Sequence, residues 1–239
     1  MGLSWAGNRL LYSASLAGGA GVWSTDIGSS ASQLVVPAAA WARISTTADG
    51  RTLYYARVGN EIWKSGSDGS HPEKMAQISS SDAAVTPDGT SLFFISLSSG
   101  QQLPFAIDVA GGPPRQLAAM TALHGTLSAS PDGKLVTFLS DSSGEQEQIV
   151  MKAEGGAPIA RLKLPGSVPH WTPDGQGLAY VDRTGLAIWI QPIAGGTPHR
   201  LAAFPDRPIL QFAFSPDGKQ LAISRATTIS DIVLLRGVR

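Results

Sequence analysis

The stretch "FSPDGKQLAIS", Phe214 to Ser224, decides the fold, because the chain writes it repeatedly. "TADGRTLYY" runs from Thr47, "TPDGTSLFF" from Thr86, "SPDGKLVTF" from Ser130 and "TPDGQGLAY" from Thr172. With the glycine of each Asp-Gly as ruler, Gly50, Gly89, Gly133, Gly175 and Gly218 stand 39, 44, 42 and 43 residues apart. Counting back 43 residues from Gly50 reaches Gly7 in "SWAGNRLLYS", a decayed first copy. Six copies with a period near 42 suit units of four short strands, the blades of a propeller.

Two apolar columns support that reading. Four residues after the Asp position stand Leu10, Leu53, Leu92, Val136, Leu178 and Leu221. Six residues after it stand Tyr12, Tyr55, Phe94, Phe138, Tyr180 and Ile223. Residues two apart share one face of a strand. The phrase between strands has turn chemistry: Pro pre-sets the second place of a type I turn, Asp can accept backbone N–H groups, and Gly takes the left-handed conformation. A preceding Ser or Thr can tie the turn. The Asp is therefore read as a turn former and not as a catalytic acid.

A second phrase follows the first: "AGGPPRQLA" from Ala110, "EGGAPIARL" from Glu154 and "AGGTPHRLA" from Ala194, with "SDGSHPEKM" from Ser67 a looser copy. Each is expected to join a third strand to a fourth. Six residues before the first Gly of the clean copies stand Phe105, Ile149 and Trp189; Trp23 and Trp63 hold similar places earlier. These large residues are expected to fill the space between sheets. "PAAAWARIS", from Pro37, reads as loop running into strand. The expected fold is all-β: a six-bladed propeller of four-stranded antiparallel blades in one domain, 1–239. Its repeats fall near 1–37, 38–79, 80–120, 121–164, 165–204 and 205–239. The last copy ends at "DIVLLRGVR", so the sixth blade is expected to have three strands or to borrow a fourth from upstream residues.

Composition narrows the function classes. Lys+Arg and Asp+Glu number 18 each, a net charge of zero, which argues against nucleic acid as a partner. Cysteine is absent, so there is neither a disulfide framework nor a thiolate metal site. The absence fits an exported domain without assigning a compartment. No apolar run approaches the roughly 18 residues of a membrane span, so no membrane contact by this chain is expected. The start, "MGLSWAGNRLLYS", lacks the pattern of a secretory leader and reads as a domain cut from a longer protein.

These phrases resemble the TolB-type propeller repeat of bacteria: a Ser-Pro-Asp-Gly-Lys turn, an apolar strand, a Trp-centred strand, then Gly-Gly. "VPHWTPDGQGLAYVD" and "FSPDGKQLAIS" match it closely and the first copy poorly. The C-terminal end, "SPDGKQLAISRATTISDIVLLRGVR", is similar to the end of sensor propellers attached to bacterial serine/threonine kinases and to membrane-anchored winged-helix regulators. The resemblance implies a sensory or scaffolding domain. It does not imply kinase activity, and neither a kinase catalytic loop nor a winged helix is present in the sequence.

The search for chemistry finds no nucleophile elbow, phosphate loop, HExxH or EF-hand pattern. The Asp and Gly of each turn are adjacent, unlike the spaced pair of a sialidase Asp-box. His71 and His199 lie in Gly/Pro turns and read as solvated. His124 and His170 fall in or just before the innermost strands of adjacent blades. Arg43, Asp82 and Arg207 stand at equivalent places. These five, Arg43, Asp82, His124, His170 and Arg207, are the candidate ligand-binding residues, because the inner loops of a propeller converge over its channel. Two His and an Asp fall short of the three protein ligands a metal site normally wants; no metal, cofactor or catalytic residue is expected.

The expected function is that of a non-enzymatic sensor or protein-interaction propeller, the extracytoplasmic part of a larger membrane-anchored bacterial signalling protein, periplasmic or on the extracellular face. A protein or small-molecule ligand would sit at the channel face of a monomer. One alternative is a TolB-like envelope accessory that binds a protein partner. The other is a propeller lyase or hydrolase with a metal in the funnel.

Overall fold

A computed structural model of the chain describes residues 2–37, 43–57, 59–80, 82–98, 100–141, 143–166 and 169–225. Every regular element among them is a strand. The first sheet holds β1 (Leu3–Ala6), β2 (Arg9–Leu16), β3 (Gly19–Asp26) and β4 (Gln33–Pro37). The second holds β5 (Ile44–Thr46), β6 (Thr52–Arg57), β7 (Glu61–Gly66) and β8 (Glu73–Ser79). The third holds β9 (Ala83–Val85), β10 (Ser91–Ser98), β11 (Gln101–Asp108) and β12 (Arg115–Gln116). The fourth holds β13 (Leu123–Ala129), β14 (Leu135–Ser140), β15 (Glu147–Lys152) and β16 (Ala160–Leu162). The fifth holds β17 (His170–Trp171), β18 (Gly177–Val181), β19 (Ala187–Pro192) and β20 (His199–Ala203). A hairpin of β21 (Ile209–Phe214) and β22 (Leu221–Arg225) follows. Each four-stranded sheet is an antiparallel meander in chain order.

The first strands form the hub. β1 lies against β5, β5 against β9, β9 against β13, β13 against β17, and β21 returns to β1. The structure is thus an all-β propeller with five complete four-stranded blades. The two-stranded hairpin stands between the fifth blade and the first. "DIVLLRGVR", expected as a third strand of the last blade, lies outside the described residues, as do residues 38–42 of the "PAAAWARIS" stretch.

Alternation along the second strands explains the two sequence columns. Leu53 and Tyr55 of β6 join a buried cluster with Leu11 and Val22 of the blade before. Tyr54 and Ala56 join Leu92 and Phe94 of the blade after. Phe93 and Ile95 of β10 in turn pack with Val136 and Phe138 of β14. Leu178 packs back on Val150, while Ala179 and Val181 pack forward on Ile209 and Phe212. The Leu and aromatic columns therefore face the preceding blade, and the residues between them face the next. A strand buried on both faces reads as a continuous apolar run, as these do.

The expected large residues of the third strands sit directly opposite the aromatic column. Tyr12 pairs with Trp23, Tyr55 with Trp63, Phe94 with Phe105, Phe138 with Ile149 and Tyr180 with Trp189. Trp23 and Ile149 are buried. Trp189, expected to be largely buried beside Tyr180, is only half-buried. In this blade the third strand is covered less completely than the second: β18 is buried throughout, whereas most of β19 is half-buried.

The repeated turn is built the same way five times. The Ser or Thr hydroxyl of Thr47, Thr86, Ser130, Thr172 and Ser215 donates to the carboxylate of Asp49, Asp88, Asp132, Asp174 and Asp217, each at 2.6 Å. The same carboxylate oxygen accepts the backbone N–H two residues on. The hydroxyl oxygen accepts the N–H five residues on, at or just before the start of the next strand. Gly50, Gly89, Gly133, Gly175 and Gly218 have φ between 68° and 75°. In the first blade the turn shrinks to Gly7-Asn8, with Ala6 paired to Arg9. That shortening is the physical form of the decayed copy.

Candidate functional site

Inner strands crowd the axis and do not pair with each other as a sheet, so their facing backbone groups need other partners. Side chains supply them. The Ser4 and Thr46 hydroxyls meet at 2.8 Å and Thr46 donates to the Trp5 carbonyl, joining β1 to β5. Ser45 accepts the Val85 N–H, joining β5 to β9. Asp82 accepts the Leu127 N–H at 3.4 Å, joining the start of β9 to β13. Trp171 donates to the Ser128 carbonyl, joining β17 to β13, and Trp5 donates to the Ala213 carbonyl, joining β1 to β21. The neighbours β17 and β21 meet through the rings of His170 and Phe212, 4.6 Å apart.

These strands enclose a cavity of about 290 Å³ along the axis. It runs from Arg43 and Pro169, where inner strands begin, to Pro87, Pro131 and Pro216, where their turns lie. Small residues dominate the walls, among them Ser4, Ser45, Ala83, Ala84, Ser128 and Ala129. Only small side chains let six strands approach one axis and still leave room.

The structure brings three of the five sequence candidates together. Arg43 and His170 line the cavity. Asp82 is buried, 1% exposed, with a carboxylate oxygen 3.8 Å from the Arg43 Nε. Burial pulls the Arg43 guanidinium below the usual arginine range, partly offset by the Asp82 charge. Burial, reinforced by the Arg43 charge, pulls the His170 imidazole down to about 4, so it is neutral near pH 7. Asp82 thus belongs to the stitching between inner strands as well as to the charge pair.

The other two candidates are placed differently. Arg207 is exposed in the loop before β21 and pairs with its neighbour Asp206, which also pairs with Arg225. It is not among the cavity-lining residues. His124 falls in β13, but its side chain lies outside the described residues. His71 is exposed in a turn with φ 50°, as its sequence context suggests. His199 is exposed too, but it opens β20 opposite Ile190 and is not a turn residue.

Sequence reasoning missed Ser128 and the two indole stitches. Ser128 lines the cavity, and its buried Oγ has no hydrogen-bond partner among the described residues. Trp5 and Trp171 were legible in one respect: each sits opposite the Leu column, at Leu10 and Leu178. Among the described residues no three His, Cys, Asp or Glu side chains gather as ligands for a metal ion. Among them, too, no helix is long and apolar enough to cross a membrane.

No family model matches the chain. No curated protein matches it either. Solved structures do. TolB from Acinetobacter baumannii superposes with a TM-score of 0.68 at 19% identity, over 90% of this chain and 57% of that one. A putative TolB from Agrobacterium tumefaciens gives 0.63 at 22% identity, over 77% of this chain and 69% of that one. An oligogalacturonate lyase in complex with manganese gives 0.60 at 12% identity, over 90% and 67%. The chain therefore spans little more than half the length of the Acinetobacter protein, and at these identities the likeness establishes a shared propeller fold.

Proposed function

We propose that this chain is a non-catalytic interaction propeller that holds a protein segment at the channel face. The observation that carries the reading is the cavity itself. Residues of all six inner strands line it, and its walls combine small hydroxyl and apolar groups with the Arg43 cation. Such a surface suits a narrow polar insertion better than a large apolar ligand. The likeness in fold to TolB-type propellers favours the same class. The hairpin of β21 and β22 is the first half of a sixth blade. The resemblance of the C-terminal end to sensor propellers and the lack of cysteine support a place outside the cytoplasm, as part of a larger signalling protein.

Site-specific photo-crosslinking in intact bacteria tests this. A benzophenone side chain replaces Ile44 in the cavity lining at the start of β5, Ala48 in a turn at the other end, or Arg161 on an outer strand. The expected result is one discrete protein adduct from a channel position and none from Arg161. Adducts from Arg161 alone would move the interaction to the blade edges. The lyase reading makes a different forecast: micromolar manganese or zinc binding by calorimetry, lost in the His124→Ala/His170→Ala double mutant.

A further inference from the structure

We infer that the channel holds a carboxylate-binding subsite, in which Arg43, Ser128 and His170 receive an acidic side chain presented by the protein segment. This rests on the channel reading above and names the chemistry of the contact.

Three polar groups at one cavity lack hydrogen-bond partners among the described residues. Among the described residues the Arg43 guanidinium makes no hydrogen bond, and the Asp82 carboxylate oxygen stands 3.8 Å from its Nε. That distance is an ion contact without a hydrogen bond. It engages one edge of the guanidinium and leaves the Nη fork for a second acceptor. The buried Ser128 hydroxyl has no partner. The His170 ring packs against the Phe212 ring, 4.6 Å away, and among the described residues its nitrogens make no hydrogen bond. Elsewhere along the hub, Ser4, Ser45, Thr46 and Asp82 are all engaged in stitching strands together. The unused polar capacity is therefore local to one set of residues.

The chemistry of that set selects its ligand. A guanidinium has donors only, a hydroxyl can donate, and a neutral imidazole has one N–H. What satisfies them together is a group that accepts with two adjacent oxygens. At neutral pH that is a carboxylate, whose two oxygens match the Arg fork. A side-chain amide offers one acceptor and brings two donors that this set cannot use. Asp82 sets the strength. It already neutralises part of the Arg43 charge, so an incoming carboxylate binds weakly enough to exchange, and removing the Asp82 charge tightens it.

The test uses blocked glutamate, N-acetyl-glutamate amide, titrated into the full chain, with blocked glutamine as control. NMR reads the Arg Nε–H and the His170 ring resonances. Glutamate is expected to shift both, at least tenfold more tightly than glutamine. Asp82→Asn should tighten glutamate several-fold, and Arg43→Lys should weaken it about tenfold by losing the fork. Arg43→Gln leaves Asp82 buried beside a neutral group, so the Arg43→Gln/Asp82→Asn double variant guards against misfolding and should bind neither probe. Equal binding of the two probes, or glutamate binding that survives in the double variant, overturns the proposal. The two readings fail separately: loss of glutamate preference leaves a channel crosslink standing, and absence of any crosslink leaves glutamate binding at Arg43 standing.

Discussion

At a single turn, one atom separates tolerance from disruption. The five ruler glycines share nearly one φ, yet their surroundings differ. A Cβ at Gly175 would meet only Pro131, at 3.8 Å, so Gly175→Ala should cost about 1 kcal/mol from the left-handed backbone alone. At Gly218 it would lie 2.7 Å from the Pro173 Cβ, and at Gly50 2.3 Å from the Gly7 backbone nitrogen. Urea unfolding should rank the losses Gly50→Ala, then Gly218→Ala, then Gly175→Ala, and equal losses would show that φ strain is the whole effect. The turn carboxylates Asp49, Asp88, Asp132, Asp174 and Asp217 are all held below the usual range, chiefly by the Ser or Thr hydroxyl. A depressed carboxyl contributes stability above its unfolded value, about 4, that is lost as pH falls through the folded value. Replacing all five by Asn keeps an acceptor and should flatten the drop in Tm below about pH 4. His170 has its own window. Its folded value lies below that of an ordinary histidine, so it costs stability as pH falls from about 6.5 toward 4 and nothing above. His170→Gln should remove that part of the slope, and an imidazole signal titrating near 6.5 in the folded protein would contradict the burial argument.

Strand by strand, the energetics follow position in the blade. Tyr180 on β18 is 3% exposed, whereas its cross-strand partner Trp189 on β19 is half-buried. Truncating a fully buried aromatic costs about 3–5 kcal/mol, and a half-covered one loses less despite its size. Tyr180→Ala should therefore lower stability more than Trp189→Ala in chemical denaturation. The fourth blade adds a polar case. Thr137 donates to the Ile149 carbonyl at 2.7 Å and accepts from Gln148 at 2.8 Å, all of it buried. Thr137→Val keeps the volume but leaves the buried Gln148 amide without its partner, an expected loss of about 1–3 kcal/mol. A neutral result would mean that Gln148 finds another acceptor.

Across the whole molecule, five inter-blade cores hold the sheets in sequence, and the junction between hairpin and first blade differs. Among the described residues no buried apolar cluster spans it. A cavity of about 570 Å³ lies there instead, walled by Leu3, Leu10, Tyr12, Ala14, Gln211 and Ile223. Leu10 and Tyr12 are half-buried where Leu53 and Tyr55, their counterparts in the second blade, are sealed. The Trp5 bond to Ala213, at 3.0 Å, bridges residues 208 apart and fastens this junction. Trp5→Phe should speed hydrogen exchange in β1 and β21 while β10 and β14 keep their protection, because blades contact only their neighbours. Uniform acceleration across all sheets would show instead that the ring opens as one unit.

The repeated turn, the second strands and their two columns were legible from sequence, because they are local. A Ser or Thr, an Asp and a Gly at fixed spacing satisfy one another within six residues, and Leu53 and Tyr55 share a face by strand geometry alone. The candidate site was legible only at the level of region: Arg43, Asp82 and His170 were picked by their place ahead of inner strands. That Asp82 is buried on the Leu127 N–H and that Ser128 Oγ has no partner among the described residues depend on contacts between blades. So does the half-burial of Trp189, which the column pattern did not show. Sequence period fixes what each strand does within its sheet. The distances between side chains at the hub depend on how closely six sheets meet around one axis, and only the tertiary structure decides that.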